Sequence, residues 1–318
     1  MVLKKVSICV PCYNEEENIE NMYNKLKSIF DELGKYDYEI IFSDNCSTDS
    51  SSDILKRISA KDKHVKVILN MRNYGPDRSC LNCLFRATGD AIISMPCDFQ
   101  EPPDIIPVFL EEWEKGNLVV WGQKLKSKEN PIKFFFRKIF YKIIKSFSEN
   151  PQIENTTGFG VMDRTVLECV KETGETKEGL RNLIPELGFA VKLIPYTQQK
   201  RQAGKSSYNM IRYLNFSIDT LITTSKLPLR LATILGSIVS FFSIVIFIVY
   251  FIYKLVHWDS FEVGMFPVIC GIFLVGAIEI MFIGIIGEYI GILVERSEKR
   301  PLVLEKELIN FEKEDEND

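Results

Sequence analysis

Histidine is nearly missing from this chain of 318 residues: His64 and His257 are all there is. Two isolated imidazoles give no histidine-based metal centre, and the eight cysteines do not make up the deficit. Cys80 and Cys83 form a lone C-x-x-C, whereas a zinc site needs two more ligands at matching spacing; the pair reads as helix packing. Positive charge is not in excess either. The net charge of −4 argues against a general nucleic-acid binder. The start, Met1-Val2-Leu3-Lys4-Lys5, lacks the apolar region of a signal peptide, so reduced thiols are the expectation. Glycine-rich phosphate loops are missing as well. Neither G-x-G-x-x-G nor G-K-[ST] follows the first strand, which excludes a dinucleotide-dependent hydride transferase and a P-loop enzyme.

What is present is a regular alternation. Lys4 to Val10 reads as a strand ending at Pro11-Cys12-Tyr13-Asn14-Glu15. Glu15 to Leu33 carries apolar residues at helical spacing and stops at Gly34. Tyr38 to Ser43 is a continuous apolar strand with Asp44 at its end. Ser47-Thr48-Asp49-Ser50 supplies helix-start signals. Val65 to Leu69 is a third strand, ending near Arg72, and a helix from about 77 to 87 follows. This spacing predicts βαβ units and a mostly parallel α/β sheet. Tyr13, Glu15, Asp44, Arg72 and Asp98 then fall at carboxyl ends of strands on one sheet edge, where open α/β sheets bind ligands.

The chain is organised around Gly89 to Pro103. A short apolar strand, Ala91 to Met95, stops abruptly and gathers Asp98, Gln100 and Glu101 into a turn bounded by Pro102 and Pro103. Oxygen ligands of this kind suit Mg²⁺ or Mn²⁺ held together with substrate phosphates. The other reading of Asp98 is a cap for the helix that starts near Asp104.

The second half differs in composition. Leu231 to Tyr253 is an uncharged run of about 23 residues, long enough to span a bilayer. Val263 to Ile292 is a second, interrupted by Glu279 and Glu288. Residues 131–147 interleave Lys133, Arg137, Lys138, Lys142 and Lys145 with aromatic and aliphatic side chains, as a helix lying in a membrane interface does; a buried helix with a solvated basic face has the same pattern. Residues 210–230 read as an amphipathic juxtamembrane helix. Cations flank the outer ends of both runs, which predicts two spans with both termini cytoplasmic. Glu279 reads as a helix–helix or oligomer contact, so a homo-oligomer through the spans is an expectation. The tail, 294–318, is acidic and expected to be cytoplasmic, and from Glu305 onward solvated or disordered.

Val10-Pro11-Cys12-Tyr13-Asn14-Glu15-Glu16, Ser43-Asp44-Asn45-Cys46-Ser47-Thr48-Asp49, Arg72-Asn73-Tyr74-Gly75, Asp98-Phe99-Gln100-Glu101-Pro102-Pro103, Lys200-Arg201-Gln202-Ala203-Gly204-Lys205-Ser206 and Gly284-Ile285-Ile286-Gly287-Glu288-Tyr289-Ile290-Gly291 occur in this order. In these motifs the chain resembles the family 2 glycosyltransferases, most closely the polyprenyl-phosphate glycosyltransferases similar to dolichol-phosphate mannose synthase. The resemblance implies a GT-A catalytic domain over 1–209, with spans at 231–254 and 264–293. It also implies an integral membrane enzyme moving a sugar from a nucleotide-diphosphate sugar, a UDP-sugar by expectation, to polyprenyl (undecaprenyl) phosphate with inversion. By that resemblance Pro11, Tyr13, Glu15 and Asp44 hold the nucleotide, Arg201 and Lys205 its phosphates, and Asp98 and Gln100 the metal and diphosphate. Lys124 and Arg137 are the candidates for the lipid phosphate.

Two positions depart from the family pattern. The first acidic position of the Asp-x-Asp motif is Pro96, and Gly158 stands where many relatives carry an Asp in a Gly-Asp-Phe-Arg string. A phosphate monoester ionises a second time near pH 6, roughly as phosphoserine does. Such an acceptor needs no base, whereas a sugar hydroxyl does. Alternatives kept open are a hydroxyl-acceptor polysaccharide synthase, whose Gln-x-x-Arg-Trp motif is not found here, and a non-catalytic membrane-anchored module that binds nucleotide sugar or scaffolds an assembly.

Overall fold

The structure is a computed structural model that describes residues 3–125, 153, 155–174, 180–199, scattered positions between 234 and 256, 265–297 and 301–311. The chain divides into two compact units. The first comprises Met1–Phe134, Asn150–Ser207 and Pro301–Asp318, and the second Phe135–Glu149 and Tyr208–Arg300.

The first unit is an α/β sheet with helices on both faces. Its elements are β1 (Lys5–Cys12), α1 (Ile19–Leu33), β2 (Asp37–Asp44), α2 (Ser51–Lys61), β3 (Val65–Asn70), α3 (Pro76–Phe85) and β4 (Ala91–Ser94). A single 3₁₀ turn, Pro103–Ile105, leads into α4 (Ile106–Glu114). Then come β5 (Val119–Lys124), β6 (Thr156–Asp163), α5 (Arg164–Glu172), α6 (Leu180–Glu186) and β7 (Val191–Tyr196). The strand order is β7-β5-β6-β4-β1-β2-β3, with an eighth strand, β8 (Glu305–Ile309), outside β3. β1 pairs parallel with both β2 and β4, β2 with β3, and β5 with β7; β6 and β8 are antiparallel. The mostly parallel α/β expectation is met.

The central strands are buried on both faces, as parallel strands between helices must be. Val6, Ile8 and Val10 of β1, with Ile40 and Phe42 of β2, pack under α1, α2 and α4. Cys9 and Ile41 point the other way, against α3, α5 and α6. Alternation by two along each strand produces both layers from one sequence. In α1 the buried side chains Ile19, Met22, Leu26, Ile29 and Phe30 recur at helical spacing, and Gly34, at φ 58°, closes the helix with its N–H on the Phe30 carbonyl. The C-x-x-C cysteines pack α3 onto the sheet. Cys83 Sγ donates to the Ile41 carbonyl, and Cys80 Sγ lies 3.4 Å from Ser94 Oγ. Burial pushes the Cys80 thiol up to about 12.

One ion cluster fastens the amino edge of the sheet. Glu39 of β2, 1% exposed, accepts from Ser7 Oγ at 2.6 Å and from the Thr88 backbone N–H at 2.7 Å. Lys66 and Lys5 sit 2.7 and 3.3 Å from its other oxygen. Burial alone would raise this carboxyl; the bonds from Lys66, Ser7 and Thr88 overcome it and hold the group at about 2. Gly89 lies over the cluster because any Cβ there would come within 2.8 Å of Ser7 and Lys5 backbone atoms.

The tail departs from the sequence expectation. Residues 305–309 form β8 rather than a solvated or disordered segment, because the strip carries partners for β3 and α3. Glu305 takes a two-pronged contact from Arg86 at 3.1 and 2.9 Å and a bond from Asn82 at 2.8 Å. Asn310 Nδ2 donates to the Ser59 and Val65 carbonyls, and Val303 is buried. Acidic composition concealed a strand whose glutamates are paired, Glu305 with Arg86 and Glu307 with Lys56. β8 also covers the edge that β3 would otherwise present unpaired.

In the second unit the expected span 264–293 falls on α7 (Met265–Ser297), a continuous helix of 33 residues. Among the described residues no helix is long and apolar enough to cross a membrane. Residues 131–147 and 210–230 lie outside the described residues, as does most of 231–254.

Glu39→Gln should lower stability at neutral pH by about 3 kcal/mol. The folded carboxyl is depressed below its unfolded value near 4.5, so wild-type stability is fully present above that value and declines as pH falls toward 2. Chemical denaturation from pH 7 to pH 2.5 should show this slope, flattened in Glu39→Gln. Deletion of residues 302–318 should lower the melting temperature by about 5 °C or more; an unchanged melt would mean that β8 is not a working part of the sheet.

Candidate functional site

Parallel pairing sets β1, β2 and β4 side by side in one direction, so their carboxyl ends leave the sheet along one edge. Each exit turns sharply. Asn14 after β1, Cys46 after β2 and Phe99 after β4 have φ values of 55°, 63° and 58°. Non-glycine residues pay for this left-handed backbone with roughly 1 kcal/mol or more, and such strain gathers at functional sites.

The first two turns are laced together. Cys12 and Asp44 are register partners at the strand ends. Beyond them the Asn14 N–H donates to Ser47 Oγ at 2.9 Å, the Thr48 N–H to Asn14 Oδ1 at 2.8 Å, and the Ser50 N–H to Glu16 Oε2 at 2.9 Å. Asp44, 1% exposed, accepts from the Ser47 hydroxyl and from Ser52 Oγ. Glu15 is buried, with Asn18 Nδ2 2.6 Å from its Oε2, and its own N–H donates to Ser51 Oγ. Pro11 and Tyr13 are half-buried beside them. The structure thus brings Pro11, Tyr13, Glu15 and Asp44 onto one edge.

Asn45 is the hub that the sequence did not single out. Its amide donates to Asn73 Oδ1 and the Gly75 carbonyl, and its oxygen accepts from Asn70 Nδ2 and the Tyr74 N–H. One side chain therefore ties the end of β2 to the Arg72-Asn73-Tyr74-Gly75 loop, where the Arg72 guanidinium stacks 4.2 Å from the Tyr74 ring. The signal was that Asn45 and Asn73 both stand inside quoted motifs, with nothing in the sequence to join the two.

The Asp98 turn completes the edge. Asp98 and Gln100 are half-buried, and the Gln100 N–H donates to Asp98 Oδ1 at 3.2 Å. Gln100 is held from the segment after β7: Gln198 Nε2 donates to its Oε1, and the Gln199 N–H to its carbonyl, both at 3.0 Å. The 3₁₀ turn and α4 that follow begin at Pro102 and Ile105 without a side-chain cap, and Asp98 instead accepts within its own turn. Asp98 and Gln100 offer hard oxygen donors, and among the described residues no group of three His, Cys, Asp or Glu side chains could hold a metal. Two protein donors fit Mg²⁺ or Mn²⁺ shared with substrate phosphates and water, not a protein cage.

Glu101, in the same turn, is 3% exposed. Burial and the neighbouring Asp98 charge push its carboxyl up, while Lys124 opposes them. Lys124 Nζ lies 3.6 Å from Glu101 Oε1. The Gly158 position is open: at φ 82°, a Cβ there would meet nothing within 4 Å. Gly160, two residues on, is closed, since a Cβ would come within 2.1 Å of the Val120 carbonyl. Asp163 serves structure: it accepts from the Thr165 N–H at the start of α5 and from Trp113 Nε1. Arg137, Arg201 and Lys205 lie outside the described residues.

Residues 7–171 match the family model described as glycosyl transferase family 2. An uncharacterized glycosyltransferase, YkcC, of Bacillus subtilis is 33% identical over 94% of this chain and 92% of its own length. A prophage bactoprenol glucosyl transferase homolog of Escherichia coli is 30% identical over 93% of this chain and 97% of its own. The crystal structure of mannosyl-3-phosphoglycerate synthase from Rubrobacter xylanophilus shares the fold, with a TM-score of 0.50 at 14% identity over 69% of this chain and 73% of that one.

Asn45→Ala removes four hydrogen bonds at once and leaves Asn70 and Asn73 without them. It should cost about 2–4 kcal/mol of stability and speed hydrogen exchange at the Tyr74 amide. Unchanged exchange at Tyr74 would refute the hub.

Proposed function

The chain belongs to glycosyl transferase family 2, and from that premise we propose that it transfers one sugar from a nucleotide-diphosphate sugar, a UDP-sugar, to undecaprenyl phosphate. Relatives aligned over nearly the whole chain support the polyprenyl-phosphate acceptor, one of them named a prophage bactoprenol glucosyl transferase homolog. The observation that carries the reading is the convergence of Asp44, Glu15 and the Asp98–Gln100 turn on the carboxyl edge of β1, β2 and β4.

Pro11, Tyr13, Glu15 and Asp44 hold the nucleoside, and Arg201 and Lys205 the diphosphate. Asp98 and Gln100 hold Mg²⁺ or Mn²⁺, which when bound offsets the charge of the departing diphosphate. Lys124 and Arg137 hold the acceptor phosphate. One phosphate oxygen of the lipid attacks the anomeric carbon from the face opposite the diphosphate. The new C–O bond forms as the old one breaks, and its electron pair leaves with the nucleoside diphosphate, so the configuration inverts. A phosphate that is already dianionic has no proton to lose. Gly158, with open space where a base would stand, suits that acceptor.

The acceptor's lipid tail calls for a membrane-held enzyme. The runs 231–254 and 264–293 form the anchoring hairpin, and 131–147 and 210–230 lie in the interface, with the catalytic domain and termini cytoplasmic. Support comes from the length of the uncharged run and from the cations outside both runs. The hairpin helices are also the surface for a homo-oligomer.

The test is to incubate the detergent-solubilised chain with a panel of radiolabelled nucleotide sugars and a short polyprenyl phosphate, then to extract with organic solvent. Label should enter the organic phase with one donor of the panel. Asp98→Ala should cut that transfer by about a hundredfold or more with an unchanged melting temperature; wild-type turnover in this variant would refute the assignment of Asp98.

A further inference from the structure

The reaction above gives Glu101 no part, yet the ends of three other strands converge on it. Its Oε1 accepts from Tyr196 OH at 3.1 Å and Thr157 Oγ1 at 3.2 Å, and pairs with Lys124 Nζ at 3.6 Å. Lys124 ends β5, Thr157 lies in β6 and Tyr196 ends β7, while Glu101 itself follows β4. Lys124 and Tyr196 are register partners.

The arrangement is rigid. The Tyr196 ring meets Phe159 edge-on at 5.7 Å and packs over Gly122, where a Cβ would come within 2.9 Å of it. Gln100, one residue before Glu101, is fastened to Gln198 and Gln199. The partners therefore have little freedom, apart from the lysine. A lysine stem has four rotatable carbons and an ammonium that donates in any direction. Lys124 is 19% exposed and its partner carboxylate 4%. The pair thus has one anchored member and one that reaches the surface.

We infer that Glu101 is a positioning residue for transfer to a phosphate acceptor: its buried carboxylate holds the Lys124 ammonium in one place at the carboxyl edge. The ammonium then meets the acceptor phosphate in a single orientation instead of searching from a mobile stem. Thr157, on the same oxygen, is fixed beside the open Gly158 by the same contact. This inference rests on Lys124 as an acceptor-phosphate ligand.

The full-length chain, assayed by organic extraction at varied polyprenyl phosphate, tests it. Lys124→Ala should raise the acceptor KM about tenfold and lower kcat at least as much as Glu101→Gln does, since it removes the charge together with its placement. Glu101→Gln should lower kcat about tenfold and leave the acceptor KM within about twofold, since the charge stays but its placement is lost. The double variant should be no slower than Lys124→Ala alone. Tyr196→Phe and Thr157→Val each remove one bond to Oε1 without changing charge. They should lower kcat in the same direction, and they carry the test if Glu101→Gln does not fold. Additive losses in the double variant overturn the inference, as does a lowered melting temperature with unchanged kinetics in the Glu101, Tyr196 and Thr157 variants. Wild-type kinetics in Lys124→Ala overturns it together with the role given to Lys124. An impaired Lys124→Ala beside unimpaired Glu101, Tyr196 and Thr157 variants overturns it alone.

Discussion

Parallel pairing of β1 with β2 on one side and β4 on the other sends three chain exits through one edge of the sheet. Everything at the site follows from that crowding. The exits cannot run straight on, so Asn14, Cys46 and Phe99 take left-handed backbone. The polar groups thus brought together are largely shielded from water, and each must find a partner nearby. Ser47 and Ser52 serve Asp44, Asn18 serves Glu15, and Asn45 serves the loop after β3. The result is a preorganised rim whose polar side chains are already held by second partners.

The sheet treats its two buried glutamates in opposite ways. Glu39, at the amino edge, faces two lysines and three hydrogen-bond donors, and its charge is strongly favoured. Glu101, at the carboxyl edge, has one lysine, and the adjacent Asp98 works against its charge. The same burial therefore yields a fastening at one end and a costly, unfavoured carboxylate at the other. Expense of the second kind persists where function needs it.

The sheet and the positions of Asp44 and Asp98 were legible because both depend on local patterns: apolar alternation, helical spacing and abrupt strand ends. Asn45 was not, since its partners Asn70, Asn73 and Gly75 come from the end of β3 and the loop after it, and no spacing rule joins them. Glu101 was read into the right turn, but its partners lie between 23 and 95 residues away in sequence, beyond any periodic signal. β8 escaped because five residues, Glu305–Ile309, are too few for a pattern to emerge from acidic composition.

That last strand has a consequence for the order of manufacture. β7 ends at Tyr196 and β8 begins at Glu305, with both apolar runs, the second of them on α7, translated in between. At ordinary elongation speeds the ribosome needs roughly 5 to 20 seconds to cover that interval. Throughout it, β3 waits with a bare flank, and the nascent catalytic unit is open to mispairing with any neighbouring strand. The outermost thread of the sheet is therefore a quality seal, closed only after the long intervening segment has been made. A chain released early would carry the turns after β1, β2 and β4 and still lack the finished wall beside them.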